Sequence, residues 1–533
     1  MGLVQKAFSD IVTFSRSSNA TRIGPTGLIQ YAPHNLLLYS QELDNAAWTK
    51  GANVTVTANA AAAPDGTVTA DLVVSSASAD SSTNQVFQQV TVASSQTYTA
   101  SFWVRAAGAN QNITVRQTAN GVLVTNTTVA VTSTWQRVSV TFTASTNPGF
   151  AIRPDTVSNL NIYVWGAQLA VGPLALDYTP TTSAAVYGPR FDYDPVTLAA
   201  RGLLIEEQRT NLLTYNEMFA DASWVKTSAT VTANAIAAPD GTVTGDLIES
   251  TGAGGRAVQT VSAPSTSVYT YSVYLKKKDT TTVELLCRNN TAGINYAARF
   301  NLDTLATSNV SAGATASVVD VGNGWRRCTI TTASITSGNS ILCYVYGGVG
   351  TSGENVYAWG AQLEAGAFAT SYIPTLASTV TRSADVASVN TLSPWYNSVE
   401  ATLFAETSRF TTSGLGRSLQ FDDGTSSERI YIHTGGNGGL VVVDGGVDQV
   451  SITNGSVTAN QIAKVVGAYK LNDFAVSTNG AAVSTDTSGT IPTVTTARIG
   501  RNESGSVTFN GHIRRIAYFP RRLSDAELVA LTA

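Results

Sequence analysis

Along most of the chain, apolar and polar residues alternate one by one in short runs. NVTVTAN, TYTASFWVRA, NITVRQ, QRVSVTFTA and LNIYVWGAQL all show it. Period-two alternation places successive side chains on opposite faces of an extended strand, so each run predicts a strand with one face buried. Turn signals separate the runs. Asp65–Gly66, Asn120–Gly121 and Asp240–Gly241 suit tight turns that need a positive φ. Strands this short and this regularly spaced predict antiparallel β-sandwiches. One helix is expected, at the C-terminal end, where Ser524 and Glu527 form a capping box ahead of an apolar run.

The alternating pattern occurs twice. NLLLYSQELDNAAWTK from Asn35 is answered by NLLTYNEMFADASWVK from Asn211, and APDGTVTAD from Ala63 by APDGTVTGD from Ala238. Trp135 recurs as Trp325 and Trp165 as Trp359, the latter pair inside WGAQL; Tyr274 stands opposite Trp103. A repeat of roughly 150 to 170 residues is a whole domain, and about eight strands in that length predict a jelly-roll sandwich. The resulting division is an N-terminal segment 1–32, a jelly roll 33–182, a connector hairpin 183–208, a second jelly roll 209–376 and a third sandwich 377–533. Both connectors carry a Gly-Leu-Ile or Gly-Leu-Leu-Ile phrase just ahead of Asn-Leu-Leu and read as small ordered hairpins.

The repeated phrase has two readings. It is a tight turn entering a strand, or a turn that also holds calcium through Asp65 and Asp71 in the first copy and Asp240 and Asp246 in the second. The tryptophans divide similarly. Those in WGAQL read as core, whereas Trp48 and Trp224 lie near turns and are candidates for stacking on a sugar ring.

Composition narrows the function. Charged residues make up 13 % of 533, with a net charge of −4, so the basic face that nucleic-acid binding needs is not indicated. Lys276–Lys278 and Arg326–Arg327 read as charges on strand edges. No run approaches the length of a membrane-spanning helix, and MGLVQKAFSDIVTFSR has no apolar core of a secretory signal. The three cysteines, Cys287, Cys328 and Cys343, all lie in the middle third, an odd count that fits buried thiols in a reducing cytoplasm better than a disulfide framework.

A nucleophilic hydrolase needs a Ser or Cys beside a His and an acid, and a glycosidase needs two spaced carboxylates. There is no G-x-S-x-G, and His433 stands alone in ERIYIHT. Asp422 and Asp423 are adjacent, so on a strand they would face opposite sides, and the stretch through Gly424 reads as a hairpin turn. The chain is therefore expected not to be an enzyme.

FNGHIRRIAYFPRRLSDAELVAL resembles the closing strand and helical tail of concanavalin A-like (laminin-G-type) sandwiches. Together with TSYIPT, TRSADVAS and PRFDYDPVT…RGLLIEEQRTNLL, it makes the chain similar to bacteriophage tail-fibre, minor-tail and head-fibre proteins with carbohydrate-binding-like modules. The resemblance implies an all-β chain: two tandem jelly rolls, then a concanavalin A-like sandwich with a short C-terminal helix. It further implies a virion protein, often trimeric, that adheres to host cell-surface polysaccharide; a purely structural connector and a polysaccharide depolymerase are the alternatives. Residues 1–32 are expected to dock onto other virion proteins.

Overall fold

A computed structural model describes residues 7–92 and 96–533. The chain is nearly all β, with a short helix at Asp525–Thr532 and, beyond the one helix expected, a single turn at Phe8–Ile11. It divides into two compact units, residues 31–188 and residues 1–30 with 189–533.

The unit 31–188 is one jelly roll of two five-stranded antiparallel sheets. One has the order Val122–Val131, Gln111–Ala119, Pro148–Pro154, Val86–Gln89, Thr49–Lys50. The other runs Gln136–Ala144, Gln96–Ala106, Asn161–Val171, Ala70–Ser75, Val54–Ala61. Inward positions such as Phe102, Val104, Ile113, Val115, Phe150 and Val164 interdigitate between the sheets, as the alternation demands.

The other unit holds the second jelly roll and the third sandwich. The second jelly roll repeats the arrangement with two six-stranded sheets around Tyr269, Tyr271, Leu285, Phe300 and Val345. Cys287 and Cys343 face each other across neighbouring strands there, and all three cysteines are free and buried. The third sandwich packs two seven-stranded sheets over Leu403, Leu419, Phe421, Ile432 and Phe474. Its helix is capped as predicted: Ser524 Oγ accepts from the Glu527 N–H, and the Glu527 carboxylate accepts from the Ser524 N–H at 2.7 Å. Leu528 seats the helix on the sheet beside Phe404 and Val466.

Two segments sit elsewhere than their sequence position indicates. Thr13–Ser15 is an edge strand of the third sandwich, paired with Val386–Val389. The hairpin of Phe191–Tyr193 and Ala200–Ile205 joins the other seven-stranded sheet, through Leu203 opposite Ile513. The expected docking arm 1–32 is thus built into the body over residues 13–30, because its short strand completes a sheet edge; residues 1–6 lie outside the described residues. Within the expected connector 183–208, Phe191–Ile205 is the hairpin and it serves the third sandwich, whereas Val186–Tyr187 pairs with His34–Asn35 in the first jelly roll.

A buried ion network fastens these segments. Arg190 pairs with Glu206 at 2.6 Å and with Asp385; Arg16 reaches Asp385 at 2.9 Å and Arg382 reaches Glu206 at 3.5 Å. All five side chains are essentially inaccessible to water. Burial alone would raise the Glu206 carboxyl, yet Arg382 and Arg190 hold it well below the usual carboxylate range.

Candidate functional site

The sites expected from sequence occupy structural positions. Trp48 and Trp224 are 1 % and 0 % exposed, with their ring faces inside the two cores. Trp48 Nε1 donates to the Tyr39 carbonyl at 3.0 Å, and Trp224 Nε1 to the Tyr215 carbonyl at 3.1 Å. Trp224 lies against Phe219 with ring centroids 4.7 Å apart. Neither can stack on a sugar, which corrects the expectation: a turn beside a tryptophan does not open its ring to solvent.

The four aspartates anchor backbone. Asp65 Oδ1 accepts from the Thr67 N–H at 2.9 Å and its hydroxyl at 2.7 Å, and Asp240 does the same with Thr242. Gly66 and Gly241 take φ of +87° and +86° in the same turns. Asp71 accepts from Leu43 N–H at 2.7 Å and Asn59 N–H at 3.0 Å; Asp246 accepts from Ala220 and Asn234. Among the described residues, no three His, Cys, Asp or Glu gather as a metal would require. Each of the four carboxylates is thus engaged by backbone N–H groups of its own repeat.

Asp240 has a neighbour that sequence reading passed over. Tyr372 donates to Glu217 at 2.6 Å, and burial together with Asp240 pushes this half-buried carboxyl up to about 7. A folded-state pKa above the ordinary 4.5 gives stability that is fully present below about 4.5 and lost as pH rises through about 7. Asp240 and Asp246, also raised by burial, act in the same direction. Denaturation midpoints should therefore fall between pH about 5 and 7. Glu217→Gln, which copies Gln41 of the first repeat, should flatten that profile in part; an unchanged profile would refute the assignment.

The surface best suited to a ligand is the outward face of a six-stranded sheet in the second jelly roll. Strand Ser340–Tyr346 sends Ile341, Cys343 and Val345 into the core and Leu342, Tyr344 and Tyr346 outward. The register lays out a grid. Tyr346 stands opposite Arg256; Tyr344 lies between Val258 and Leu286; Leu342 lies between Thr260 and Arg288. The two tyrosine rings are stacked, 6.1 Å between centroids and 17° apart in plane. The Arg256 guanidinium lies 5.5 Å and 5.9 Å from their centroids. Polar pairs continue the grid, with Arg299 to Glu284 at 2.9 Å and Arg288 to Asn295 at 3.3 Å. The tyrosines are half-buried, so their faces are partly open. A half-open aromatic pair flanked by fixed donors and acceptors can hold a flat ligand that is apolar on its faces and hydroxylated at its rim.

The first jelly roll has the same face with different residues. Phe87 pairs with Thr49 and Ala151 as Val258 pairs with Val225 and Tyr344, so Ala151 and Arg153 stand where the tyrosines are. Arg153 is engaged by Gln85 at 2.6 and 2.8 Å and by Asp80 at 2.9 Å. Phe87, Gln89 and Arg116 remain as the open side chains.

In the third sandwich the corresponding polar groups are closed on one another. Arg417 lies 4.2 Å from the Tyr431 centroid, Glu503 accepts from Arg417 and Gln420, and Asp422 accepts from Arg498 at 2.8 Å. Asp422 and Asp423 also accept the N–H groups of Gly424 and Thr425, as the turn reading requires. Burial, with Arg409 and Arg417 nearby, lowers His433 to about 4, so it is neutral near pH 7. A recess of about 730 Å³ beside Tyr274, Phe368 and Phe410 contains His512, but its Nε2 is bonded to Asp192 at 2.7 Å. Of the basic runs, Lys277 pairs with Asp303, Lys278 with Glu249 and Arg326 with Asp320.

Family comparison bears on the first jelly roll and the third sandwich. Residues 38–167 match the family described as a carbohydrate binding domain, and residues 369–529 the concanavalin A-like lectin/glucanases superfamily. No curated protein matches the chain. Among solved structures, the chain is similar to the CBM40 of the Ruminococcus gnavus IT-sialidase, at 17 % identity over 26 % of this chain and 84 % of that one, with a TM-score of 0.23. It is similar to the CBM22-1–CBM22-2 tandem of Paenibacillus barcinonensis Xyn10C, at 13 % identity over 63 % and 97 %, with a TM-score of 0.24. It is also similar to domains LG4-5 of the mouse laminin alpha1 chain, at 9 % identity over 51 % and 89 %, with a TM-score of 0.20. Within its all-β architecture, the chain carries a carbohydrate-binding-type jelly roll and a concanavalin A-like sandwich.

Proposed function

We propose that this chain is a non-enzymatic bacteriophage fibre or spike protein that adheres to host-surface polysaccharide through the open faces of its jelly rolls. The observation that carries the reading is the Tyr344–Tyr346–Arg256 grid, on a sandwich whose repeat partner matches a carbohydrate binding domain. The apolar face of a pyranose ring covers a tyrosine ring, while its hydroxyls need donors and acceptors at the edge, which Arg256, Arg288, Glu284 and Asn295 supply. Adhesion needs no chemical step; Asp422 and Asp423 are tied into a turn, His512 is bonded to Asp192, and His433 stands with no carboxylate beside it among the described residues. Assembly as a homotrimer in the virion, after synthesis in the bacterial cytoplasm, belongs to the same proposal.

The test uses labelled full-length protein, because the third sandwich takes strands from residues 13–15 and 191–205 and a truncation near residue 376 would expose their edges. Labelled protein should bind host cells and be displaced by the purified surface polysaccharide. Absence of binding would favour a purely structural connector, and release of reducing ends would make the chain a depolymerase.

A further inference from the structure

The two jelly rolls share a second aromatic patch, on the outer face of the sheet opposite the grid, and one copy of it is covered. In the second jelly roll, Tyr274, Trp325, Trp359 and Tyr372 cluster with Ala238 and Ile236. Their cover is the hairpin of Thr21–Ile23 and Ile29–Tyr31, which turns through Gly24 and Gly27. Ile23 and Ile29 pack into the cluster, and the Ile29 N–H donates to the Pro239 carbonyl at 3.0 Å. Leu28 sits so close over the repeated turn that a Cβ on Gly241 would meet its Cδ1 at 3.0 Å.

The first jelly roll builds the same receptor. Trp103, Trp135, Trp165 and Tyr178 cluster with Ala61 and Ala63. The fixing bonds are reproduced: Trp135 Nε1 to the Ala62 carbonyl at 3.2 Å where Trp325 uses Ala237 at 3.0 Å, and Trp165 Nε1 to Thr69 Oγ1 at 3.0 Å where Trp359 uses Thr244 at 3.0 Å. Arg137 lies over Trp103 as Arg327 lies over Tyr274. Trp103 replaces Tyr274, Ala61 replaces Ile236 and Arg105 lies over Trp135, but the main difference is the cover. Tyr274, Trp325 and Tyr372 are at most 4 % exposed, whereas Trp103, Trp135 and Tyr178 are half-buried. Pro239 is buried and Pro64 exposed, and nothing lies within 4 Å of a Cβ built on Gly66.

We propose that the Trp103–Trp135–Trp165–Tyr178 patch is a docking site for a β-hairpin of another protein subunit, seated as residues 21–30 are seated on the second jelly roll. The occupant's chemistry follows from that interface: a Gly-x-x-Gly turn, an outward Leu-Ile pair on the returning strand, and a backbone N–H aimed at the Pro64 carbonyl. The fixing bonds and the turn that this patch shares with the covered one favour a hairpin over a sugar as its ligand.

The probe is a fluorescein-labelled, cyclised peptide of Thr21–Gln30, titrated into the full chain. The expected result is saturable binding of one peptide per chain. Trp135→Ala should weaken it about tenfold or more. Pro64→Asp, at an exposed turn position that leaves the core untouched, should do the same. Tyr344→Ala with Tyr346→Ala should leave it unchanged, which separates this site from the proposed glycan grid. Three results would overturn the proposal: no saturation at millimolar peptide, binding insensitive to both Trp135→Ala and Pro64→Asp, or displacement of the peptide by surface oligosaccharide.

Discussion

Arg190→Ala is expected to destabilise the unit formed by residues 1–30 and 189–533 by about 3–5 kcal/mol, while the transition of residues 31–188 stays where it is. The guanidinium of Arg190 bridges Glu206 and Asp385, and no water reaches any of the three side chains. Its removal leaves Asp385 with Arg16 and the Glu206 N–H, and Glu206 with the Ser371 donors and Arg382 at 3.5 Å. A buried carboxylate that loses its close partner bears most of its desolvation penalty unrelieved, which is why breaking such a pair costs more than the pair contributes. Arg190→Lys should not restore stability, because a single ammonium cannot fork to two carboxylates and to Ser371 Oγ, 2.7 Å away. The network joins Arg16, Arg190 and Glu206 to Arg382 and Asp385, so the damage should extend to the third sandwich. Urea denaturation followed by probes in each unit reads this out; a loss below about 1 kcal/mol would refute it.

The second large effect is Trp224→Ala, at about 3–5 kcal/mol. The side chain is wholly enclosed, packs against Phe219 and donates to the Tyr215 carbonyl. Substitution removes a large apolar surface, leaves a cavity and orphans a carbonyl. Trp48→Ala should do the same to the first jelly roll, where Phe150 packs edge-on against it. A sugar-stacking tryptophan would behave in the opposite way: stability within about 0.5 kcal/mol of the parent and binding abolished. Thermal unfolding of Trp224→Ala therefore separates core from platform, and an unshifted midpoint would reinstate Trp224 as a surface residue.

This contrast explains what could be read from the sequence. Alternation, Asp-Gly turns, the Ser524–Glu527 capping box and the tandem repeat are local signals, and they gave the all-β sandwiches and the terminal helix. The sheet memberships of Thr13–Ser15 and Phe191–Ile205 were not legible, because Thr13 pairs with Ser388 and Leu203 with Ile513 across hundreds of residues. The proposed grid was not legible for a different reason. Residues that two copies of a fold share are those the core and turns require, which is why Trp48 and Trp224 drew attention. The outward grid is where the copies differ, Tyr344 and Tyr346 standing in place of Ala151 and Arg153. A usable signal was present in ILCYVY. A strand that is apolar on both faces has no need of that pattern if one face meets only water.

The tandem jelly rolls also divide the proposed work unequally. The second offers two stacked rings and a guanidinium, the first a single phenyl ring beside Arg116 and Gln89. Different faces on one scaffold are the expected outcome when specificity resides in side chains and the fold only positions them.

The most direct measurement of the central claim is calorimetric titration of the host's purified surface polysaccharide into the full chain and into Tyr344→Ala with Tyr346→Ala. Both rings lie on the outer face, so the double variant should unfold at nearly the parent midpoint. The account predicts binding by the parent and at least about a tenfold loss in the variant, equivalent to about 1.4 kcal/mol. Equal affinities for the two proteins would contradict it and remove the grid from the binding site.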